Sequence, residues 1–324
     1  MPRALHFEMK CNKYCNLKVQ NQSMLPVPAF GKIKEPFVGV VFLLVIGALL
    51  VSACKPKKNG TLTNATSLGN TDQRLKEASG LVASIANPGM LWALNDSGNP
   101  PEVFLIDQHA KTRLVCTLFH ARNRDWEDIA IGAGPDAAKK YIYVADIGDN
   151  WAQYELKYIY RFEEPTVGTQ NEITITRFDT LILKMPDGKR DTETILIDPF
   201  TTDLFLISKR EDSVRLYTAH FPFSLDTIAL RKVMQLPFTK IVAGSISPDG
   251  TEILLKDYER VYYWKRSASE SLPEVFKRKP IWLPYEREPQ GEAIAWSLSG
   301  NEFYTLSEGS MGNSADLFVY KLKK

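Results

Sequence analysis

The stretch Trp126-Glu127-Asp128-Ile129-Ala130 is one copy of a motif that recurs five times in this 324-residue chain. In each copy small or acidic residues precede a hydrophobic pair, and a short turn and a second β-rich run follow. The five hydrophobic anchors are Leu81, Ile129, Ile195, Ile246 and Ile294, at intervals of 48, 66, 51 and 48 residues. A period of about fifty residues with four short strands per unit is typical of β-propeller blades.

The residues after each anchor support this reading. A turn with Gly, Pro or Asp leads into an apolar run, as in Gly134-Pro135-Asp136 before Tyr141-Ile142-Tyr143-Val144. This order predicts a β-hairpin. A third strand follows every hairpin, and a fourth follows in the first four units. The fifth unit lacks a fourth strand at the chain end, so we expect the segment near Gly60-Thr61-Leu62-Thr63 to supply it and close the ring.

The 66-residue interval between the second and third anchors is longer than the others. It contains an extended segment from Glu172 to Met185, which is either an elongated hairpin or a degenerate sixth blade. The predicted fold is therefore all-β, a β-propeller of five or, alternatively, six four-stranded blades over residues 75–324, preceded by a signal or membrane segment.

Residues 37–53 are 17 consecutive uncharged positions that follow Lys32 and Lys34. A basic region, an apolar region and small residues at its end describe a secretory signal peptide. The ending Val51-Ser52-Ala53-Cys54 resembles the bacterial lipobox, in which the cysteine is lipidated. We therefore expect residues 1–53 to be a signal peptide with an extended n-region, and Cys54 to carry a lipid that anchors the protein to a membrane.

Two expectations follow from this segment. Residues 54–74, which include many Asn, Thr, Lys and Gly residues, form a flexible tether. The protein lies in the bacterial cell envelope, outside the cytoplasm, at the outer membrane or the cell surface. An uncleaved membrane helix is the alternative to a cleaved signal, although 17 residues is at the short limit for a span.

The charge balance bears on the class of partner. The first 53 residues hold six Lys or Arg and two Asp or Glu, so residues 54–324 keep 34 basic and 36 acidic residues and a net charge of −2. Without a cationic excess, a nucleic-acid partner is not expected.

Cys116 is the only cysteine after Cys54, and we expect a buried, inert thiol there.

Acidic residues occupy equivalent positions at the start of the predicted innermost strands. They are Glu77, Glu127, Asp128, Glu193 and Glu292. Innermost strands line the channel of a propeller, so these carboxylates should converge near one mouth of it, where they repel one another unless a cation joins them. The cation could be calcium, or the carboxylates could form salt bridges with Arg161, Lys209, Arg210 and Lys256. Alternatively, the acidic residues have a purely structural role and cap the starts of the strands.

The densest polar clusters fall in the first two units, at 92–99, 124–128 and 146–150. They are also good turn sequences. The candidate ligand-binding or metal-binding residues are Asn95, Asp96, Asp125, Trp126, Glu127, Asp128, Asp146, Asp149, Asn150, Glu193 and Glu292.

Motifs in the first third of residues 54–324 carry a family resemblance. They are Glu77-Ala78-Ser79-Gly80-Leu81, Leu91-Trp92-Ala93-Leu94-Asn95-Asp96-Ser97-Gly98, Asp125-Trp126-Glu127-Asp128-Ile129-Ala130, Tyr143-Val144-Ala145-Asp146-Ile147-Gly148-Asp149-Asn150 and Tyr160-Arg161-Phe162-Glu163-Glu164-Pro165. The chain resembles bacterial secreted or lipid-anchored propeller proteins of unassigned activity. More distantly, it is similar to the calcium-dependent phosphotriesterase-like superfamily of gluconolactonases and strictosidine synthases, whose metal ligands do not align onto particular residues here.

Two functions of different class remain. One is a binding or scaffold module of the cell envelope whose channel face holds a peptide, a glycan or a partner protein. The other is a calcium-dependent hydrolase of a lactone or phosphoester, with Glu127 or Asp128 as ligand or base. No Gly-x-Ser-x-Gly nucleophile elbow is present, which argues against a serine hydrolase of that type.

Overall fold

The computed structural model of the protein describes residues 64–309 and 315–322. The predicted signal peptide, Cys54 and the first part of the tether lie outside these residues. The described part of the chain has a single helix, α1 (Leu272–Phe276), and contains no helix with the length and apolar character of a membrane span.

Within residues 64–309 and 315–322, 22 strands form five separate sheets, which confirms a propeller of five blades. Strands are given from the innermost outward. Blade 1 consists of β2 (Ala78–Ala83), β3 (Met90–Asn95), β4 (Glu102–Asp107), β5 (Thr112–Leu118) and β9 (Glu172–Ile175). Blade 2 consists of β6 (Trp126–Gly132), β7 (Tyr141–Asp146), β8 (Leu156–Glu163), β10 (Asp179–Lys184) and β14 (Ile228–Ala229). Blade 3 consists of β11 (Thr192–Ile197), β12 (Leu204–Ser208), β13 (Arg215–Ala219) and β15 (Arg231–Gln235).

Blade 4 consists of β16 (Ala243–Ile246), β17 (Glu252–Lys256), β18 (Val261–Lys265) and β19 (Ile281–Leu283). Blade 5 consists of β20 (Ala293–Trp296), β21 (Glu302–Leu306), β22 (Asp316–Lys321) and β1 (Thr66–Asn70). Each predicted anchor lies in the innermost strand of its blade. The predicted hairpins and third strands are likewise present, because their turns and alternating apolar runs specify them locally.

Blade 5 is closed by the beginning of the described chain. Strand β1 pairs antiparallel with β22, with Thr66 opposite Val319 and Asn70 opposite Asp316. Closure of the ring by an early segment is therefore confirmed. The closing strand is residues 66–70, which follow the predicted segment at residues 60–63. Residues 66–70, near the end of the predicted tether, form this strand, because β22 otherwise has an unpaired edge, which a polar segment can cover.

The extended segment after β8 is neither a hairpin nor a sixth blade. Strand β9 pairs parallel with β5 at the outer edge of blade 1, whereas β10 pairs antiparallel with β8 in blade 2. The chain thus adds strand β9 to blade 1 and then returns to blade 2 with β10. Because this parallel pairing joins residues far apart in sequence, the local pattern of the segment contains no sign of it.

Five hydrophobic clusters fill the spaces between neighbouring blades, one for each pair of blades around the ring. Buried polar contacts join the blades as well. The carboxylate of Glu164, after β8, accepts hydrogen bonds from Ser84 Oγ at 2.6 Å and Trp92 Nε1 at 2.9 Å in blade 1. Arg266 donates to both carboxylate oxygens of Asp198, at 2.5 and 2.9 Å, and so links blades 4 and 3.

The closing strand generates the first prediction. A compact unit that begins at Asn59 contains all five blades. We expect a chain of residues 75–324, which lacks β1, to melt at least 10 °C below one of residues 59–324, since the edge of β22 and the apolar residues beneath it become exposed. Differential scanning calorimetry measures this difference. Equal melting temperatures would show that β1 does not close the ring.

Candidate functional site at the channel mouth

Three innermost strands begin with the same irregularity. Their pairing with the next strand skips one residue, which is Ser79 in β2, Glu127 in β6 and Glu193 in β11. A bulge of this kind leaves the extra residue unpaired and changes the direction of its side chain. The two glutamates therefore leave the ladder at equivalent points of neighbouring blades and come together at the channel.

These glutamates line a cavity of about 680 Å³ at the ends of the channel-lining strands where those strands begin. Its acidic lining residues come from several blades. They are Asp96, Glu127, Glu193, Glu288, Glu292 and Glu308. The basic lining residues are Lys209, Arg210, Lys240 and Arg287.

Two groups of carboxylates are close enough to share a cation. Oxygens of Asp96, Asp125 and Glu127 lie within 4.8 Å of one another, and so do oxygens of Glu127, Asp191 and Glu193. Gly148 lies beneath the first group. A Cβ at this position would be 2.1 Å from Glu127 Oε1 and 2.4 Å from Asp125 Oδ2. The carboxylates therefore occupy space that only a glycine leaves open.

The second group already has a cationic partner. Lys209 Nζ lies 2.7 Å from Glu193 Oε1 and 3.6 Å from Glu292 Oε1, and Arg210 Nε lies 2.5 Å from Asp191 Oδ2. The other carboxylate oxygen of Glu193 is buried and has no hydrogen-bond partner in the part of the chain that the structure describes. In the first group, no ion pair within the described ranges neutralises Asp96, Asp125 or Glu127. Hard oxygen donors without a cation fit calcium better than a softer metal.

The electrostatics reflect this crowding. Burial, together with the charges of Asp125 and Glu292, raises the pKa of Asp96 to about 6. Burial and the neighbouring Glu193, Asp96 and Asp125 raise the pKa of Glu127 well above its usual value. The pKa of Glu193 is also raised, by burial first, although Lys209 opposes the shift. These carboxylates hold protons more tightly than in water, so a cation that replaced the protons would relieve their repulsion.

Several predicted site residues do not line the cavity and make hydrogen bonds that hold neighbouring loops in place. Asn95 accepts a hydrogen bond from Glu77 N at 3.0 Å and donates to Arg74 O at 2.6 Å. Asp146 Oδ1 accepts from Asp125 N at 2.9 Å. Asp149 accepts from the backbone of Gln153 and Tyr154, and the buried Lys157 Nζ lies 3.3 Å from its Oδ2. These contacts fix the loops that carry the site.

Trp126 and Asp128 do not line the mouth. Trp126 is fully buried between blades 1 and 2, and its indole donates to Arg122 O at 3.0 Å. Asp128 is also fully buried. Its carboxylate accepts from Ile129 N at 2.8 Å and from Ile195 N at 3.0 Å, so it joins the innermost strands of blades 2 and 3. Asn150, in contrast, lies at the mouth and accepts a hydrogen bond from Arg210.

Asp191 is not among the predicted site residues, although a signal for it exists in the sequence. Asp125-Trp126-Glu127 and Asp191-Thr192-Glu193 share an Asp-x-Glu pattern at the same point of adjacent blades. Two further residues of the mouth were not predicted: Tyr258, whose hydroxyl donates to Glu292, and Glu288, whose pKa is raised by burial to about 7. These two lie in connections between strands, where the blade repeat gives no register.

No protein-family model matches the chain, and no curated protein matches it. Solved structures to which the chain shows similarity include a nidogen/laminin complex, with a TM-score of 0.44 and 15% identity over 72% of this chain and 72% of that one. Hydrazine synthase of Kuenenia stuttgartiensis gives a TM-score of 0.40 and 12% identity over 74% and 95%. A mitotic checkpoint complex gives 0.37 and 12% over 75% and 63%. None of these scores bears on what this chain binds.

The raised pKa values generate the second prediction. Asp96 titrates near pH 6 in the folded protein and near 3.9 when unfolded, so the folded state binds more protons between these values. The contribution of Asp96 to stability is then fully present below its unfolded pKa and is lost as pH rises through its folded pKa. Without divalent cations, we expect the melting temperature to fall by about 5 °C between pH 5.5 and 8.0.

Thermal melts of wild type and of the double variant Asp96→Asn/Glu127→Gln across this pH range test the expectation. The variant should lose most of the slope, whereas Glu163→Gln, an exposed change in β8, should keep it. A melting temperature that rises with pH in the wild type would contradict the assignment.

Proposed function

We propose that the protein is a binding module whose channel mouth holds calcium at Asp96, Asp125 and Glu127 and binds a ligand from outside the protein at that mouth. The observation that carries this proposal is that carboxylate oxygens of three residues from blades 1 and 2 lie within 4.8 Å of one another. Hydrogen bonds fix the segments that carry these residues. Calcium takes six to eight oxygen ligands, so three carboxylates would leave positions for oxygens of a ligand.

The rim of the mouth supports a ligand of peptide, glycan or protein character. Asn150 lines the cavity, and the next residue, Trp151, has 82% of its surface exposed. Tyr154 in the same loop is 40% exposed, and Arg124 lies 4.1 Å from the centre of its ring. Exposed aromatic side chains beside charged groups are typical of recognition surfaces.

The calcium site gives the third prediction. In isothermal titration calorimetry of residues 59–324 at pH 7.5, we expect one calcium ion to bind and Glu127→Gln to weaken binding at least 30-fold, since a charged ligand is lost. Gly148→Ala should weaken it as well, because the added methyl displaces two of the carboxylates. Glu155→Gln, at an exposed glutamate paired with Lys184, is the matched control and should bind as wild type does.

Affinity for calcium should also fall about tenfold or more from pH 7.5 to 5.5, because protons compete for the same oxygens. The absence of calorimetric binding at millimolar calcium, or binding that Glu127→Gln leaves unchanged, would overturn the calcium assignment. In that case, titration with an arginine-rich peptide tests whether the acidic mouth binds cationic side chains without calcium.

A calcium-dependent hydrolase is the second candidate, and the raised pKa of Glu127 beside a cavity of about 680 Å³ favours it. A carboxylate whose pKa is raised by burial can serve as a general base. Turnover of a lactone and phosphoester panel that requires calcium and disappears in a folded Glu127→Gln variant would support the hydrolase. Calcium binding without any turnover would favour the binding module.

We also propose that the mature protein begins at Cys54, carries a lipid there and resides in the bacterial cell envelope. The basis is the sequence pattern of residues 32–54. As the fourth prediction, we expect the protein expressed in a bacterial host to fractionate with membranes and to incorporate labelled palmitate. Cys54→Ser should abolish the labelling, whereas Cys116→Ser, at a buried strand position, should not. Labelling that persists in Cys54→Ser would contradict the lipid anchor.

A further inference from the structure

A groove with a volume of about 530 Å³ lies at the outer rim of the ring, between blades 3 and 4. Met234 of β15 and Trp282 of β19, in the outermost strands of the two blades, line it together with Phe238 and Tyr262. The basic lining residues, after which we name it the basic groove, are Arg260, Lys277, Arg278 and Lys279. None of its lining residues in the described ranges is acidic, although residues 54–324 together have a net charge of −2.

Most of the positive charge in the basic groove is not neutralised by the protein. Among its four cations, Arg278 alone forms an ion pair within the described residues, with its Nη1 2.9 Å from Glu270 Oε1. The guanidinium carbon of Arg260 lies 5.1 Å from the ring centroid of Trp282, a contact that holds the cation beside the ring and leaves its charge unchanged. The other two cations are exposed lysines, so an anionic partner can reach several charges at once.

Two large apolar side chains lie beside these charges. Trp282 is 63% exposed and Ile281 is 55% exposed, and both belong to β19, the edge strand of blade 4. Consecutive strand residues point to opposite faces of a sheet, so the two side chains flank the free edge of β19. Exposed apolar side chains next to Lys and Arg are typical of surfaces that lie on a membrane, where the apolar groups enter the headgroup region and the cations contact phosphates.

A polypeptide is a poorer occupant of this edge than a membrane. Strand β19 has only three residues, Ile281–Leu283, and Pro280 and Pro284 stand on either side of it. A proline has no backbone N–H, and prolines next to a short edge strand limit the hydrogen bonds that an added strand can make. An anionic peptide would therefore gain little from the backbone of β19.

The described chain begins close to the same edge. Ala65 and Leu283 both pack against the cluster between blades 4 and 5, and Leu283 is the residue after Trp282. Cys54 is 11 residues before Ala65, which corresponds to at most about 40 Å for any conformation of the chain. A lipid at Cys54 would therefore keep the membrane within reach of β19.

We propose that the basic groove and the edge of β19 dock the propeller on an anionic phospholipid bilayer. Arg260, Lys277 and Lys279 contact headgroup phosphates, and Ile281 and Trp282 enter the boundary between headgroups and acyl chains. The choice of a membrane as the anionic partner rests in part on the proposed lipid anchor, which brings this edge of the protein near the bilayer.

Sedimentation with lipid vesicles tests the proposal on the unmodified protein of residues 59–324. One set of vesicles is phosphatidylcholine alone, and the other contains about 40% phosphatidylglycerol, an anionic lipid. EDTA is present throughout, so that calcium cannot join the channel mouth to the lipid. We expect about tenfold tighter binding to the anionic vesicles, and this binding should weaken as the sodium chloride concentration rises, because salt screens the attraction.

The role of the cations is tested with Lys277→Gln/Lys279→Gln. Each cation near an anionic membrane strengthens binding about fivefold, so this variant should bind the anionic vesicles about 20-fold more weakly. Lys139→Gln/Lys140→Gln is the matched control, because it removes two exposed lysines before β7 in blade 2 and changes the net charge by the same amount. The control should bind as the unmodified protein does.

The role of the apolar side chains is tested with Trp282→Ala. This variant should bind the anionic vesicles about fivefold more weakly, since it removes the largest apolar group from the contact. Phe119→Ala is the matched control, because Phe119 is 52% exposed and follows β5 in blade 1, and it should have no effect. Weaker binding in the lysine variant alone would overturn the entry of Trp282 into the bilayer.

Lack of binding of the unmodified protein to anionic vesicles would overturn the proposal, and so would binding that both groove variants leave unchanged. Binding of a glutamate-rich peptide without binding of vesicles would assign the basic groove to an acidic polypeptide instead. The protein in this test lacks Cys54. Failure of palmitate labelling in the full chain and failure of vesicle binding here are therefore separate results, and neither depends on calcium at the channel mouth.

Discussion

The arrangement of this protein depends on the antiparallel pairing of β1 with β22, which joins the beginning of the described chain to its end. The four inner strands of each of blades 1 to 4 come from one region of the chain, but blade 5 requires a strand from more than 240 residues away in sequence. Once the ring closes, five innermost strands surround one axis. Residues at the same position of each blade are then brought together, so a repeated sequence feature becomes a local concentration of one chemical group.

The repeated feature with the largest consequence is the acidic residue at the bulge of β6 and β11. A carboxylate that is buried among others is unfavourable, because desolvation and like charges both disfavour ionisation. The protein offsets this in part with Lys209, which contacts Glu193 and lies near Glu292. The carboxylates of Asp198 and Glu164, by comparison, have several donors each and hold blades together. The same chemical group thus stabilises the ring at one place and strains the mouth at another.

Most of the blade architecture could be predicted because turns and alternating apolar runs are local signals. The blade number remained open between five and six, since the parallel pairing of β9 with β5 depends on contacts that the segment itself does not encode. The convergence of Glu127, Glu193 and Glu292 was predictable from the register. The burial of Trp126 and the backbone contacts of Asp128 were not predictable, because the bulge at Glu127 turns the side chain of Glu127 toward the channel and those of Trp126 and Asp128 away from it. Asp191 was available from the Asp-x-Glu pattern but was not selected.

The two ends of the channel differ in chemistry as a consequence of strand direction. Most innermost strands carry acidic or small residues near their starts and aliphatic residues near their ends, so their parallel arrangement around the axis separates charge from hydrocarbon. Anomalous diffraction from a crystal grown with calcium tests the central claim of a cation at the acidic end most directly. The account predicts one peak at 2.3–2.6 Å from oxygens of Asp96, Asp125 and Glu127. A channel mouth without a peak, in which those carboxylates hold only protons or Lys209, would contradict it.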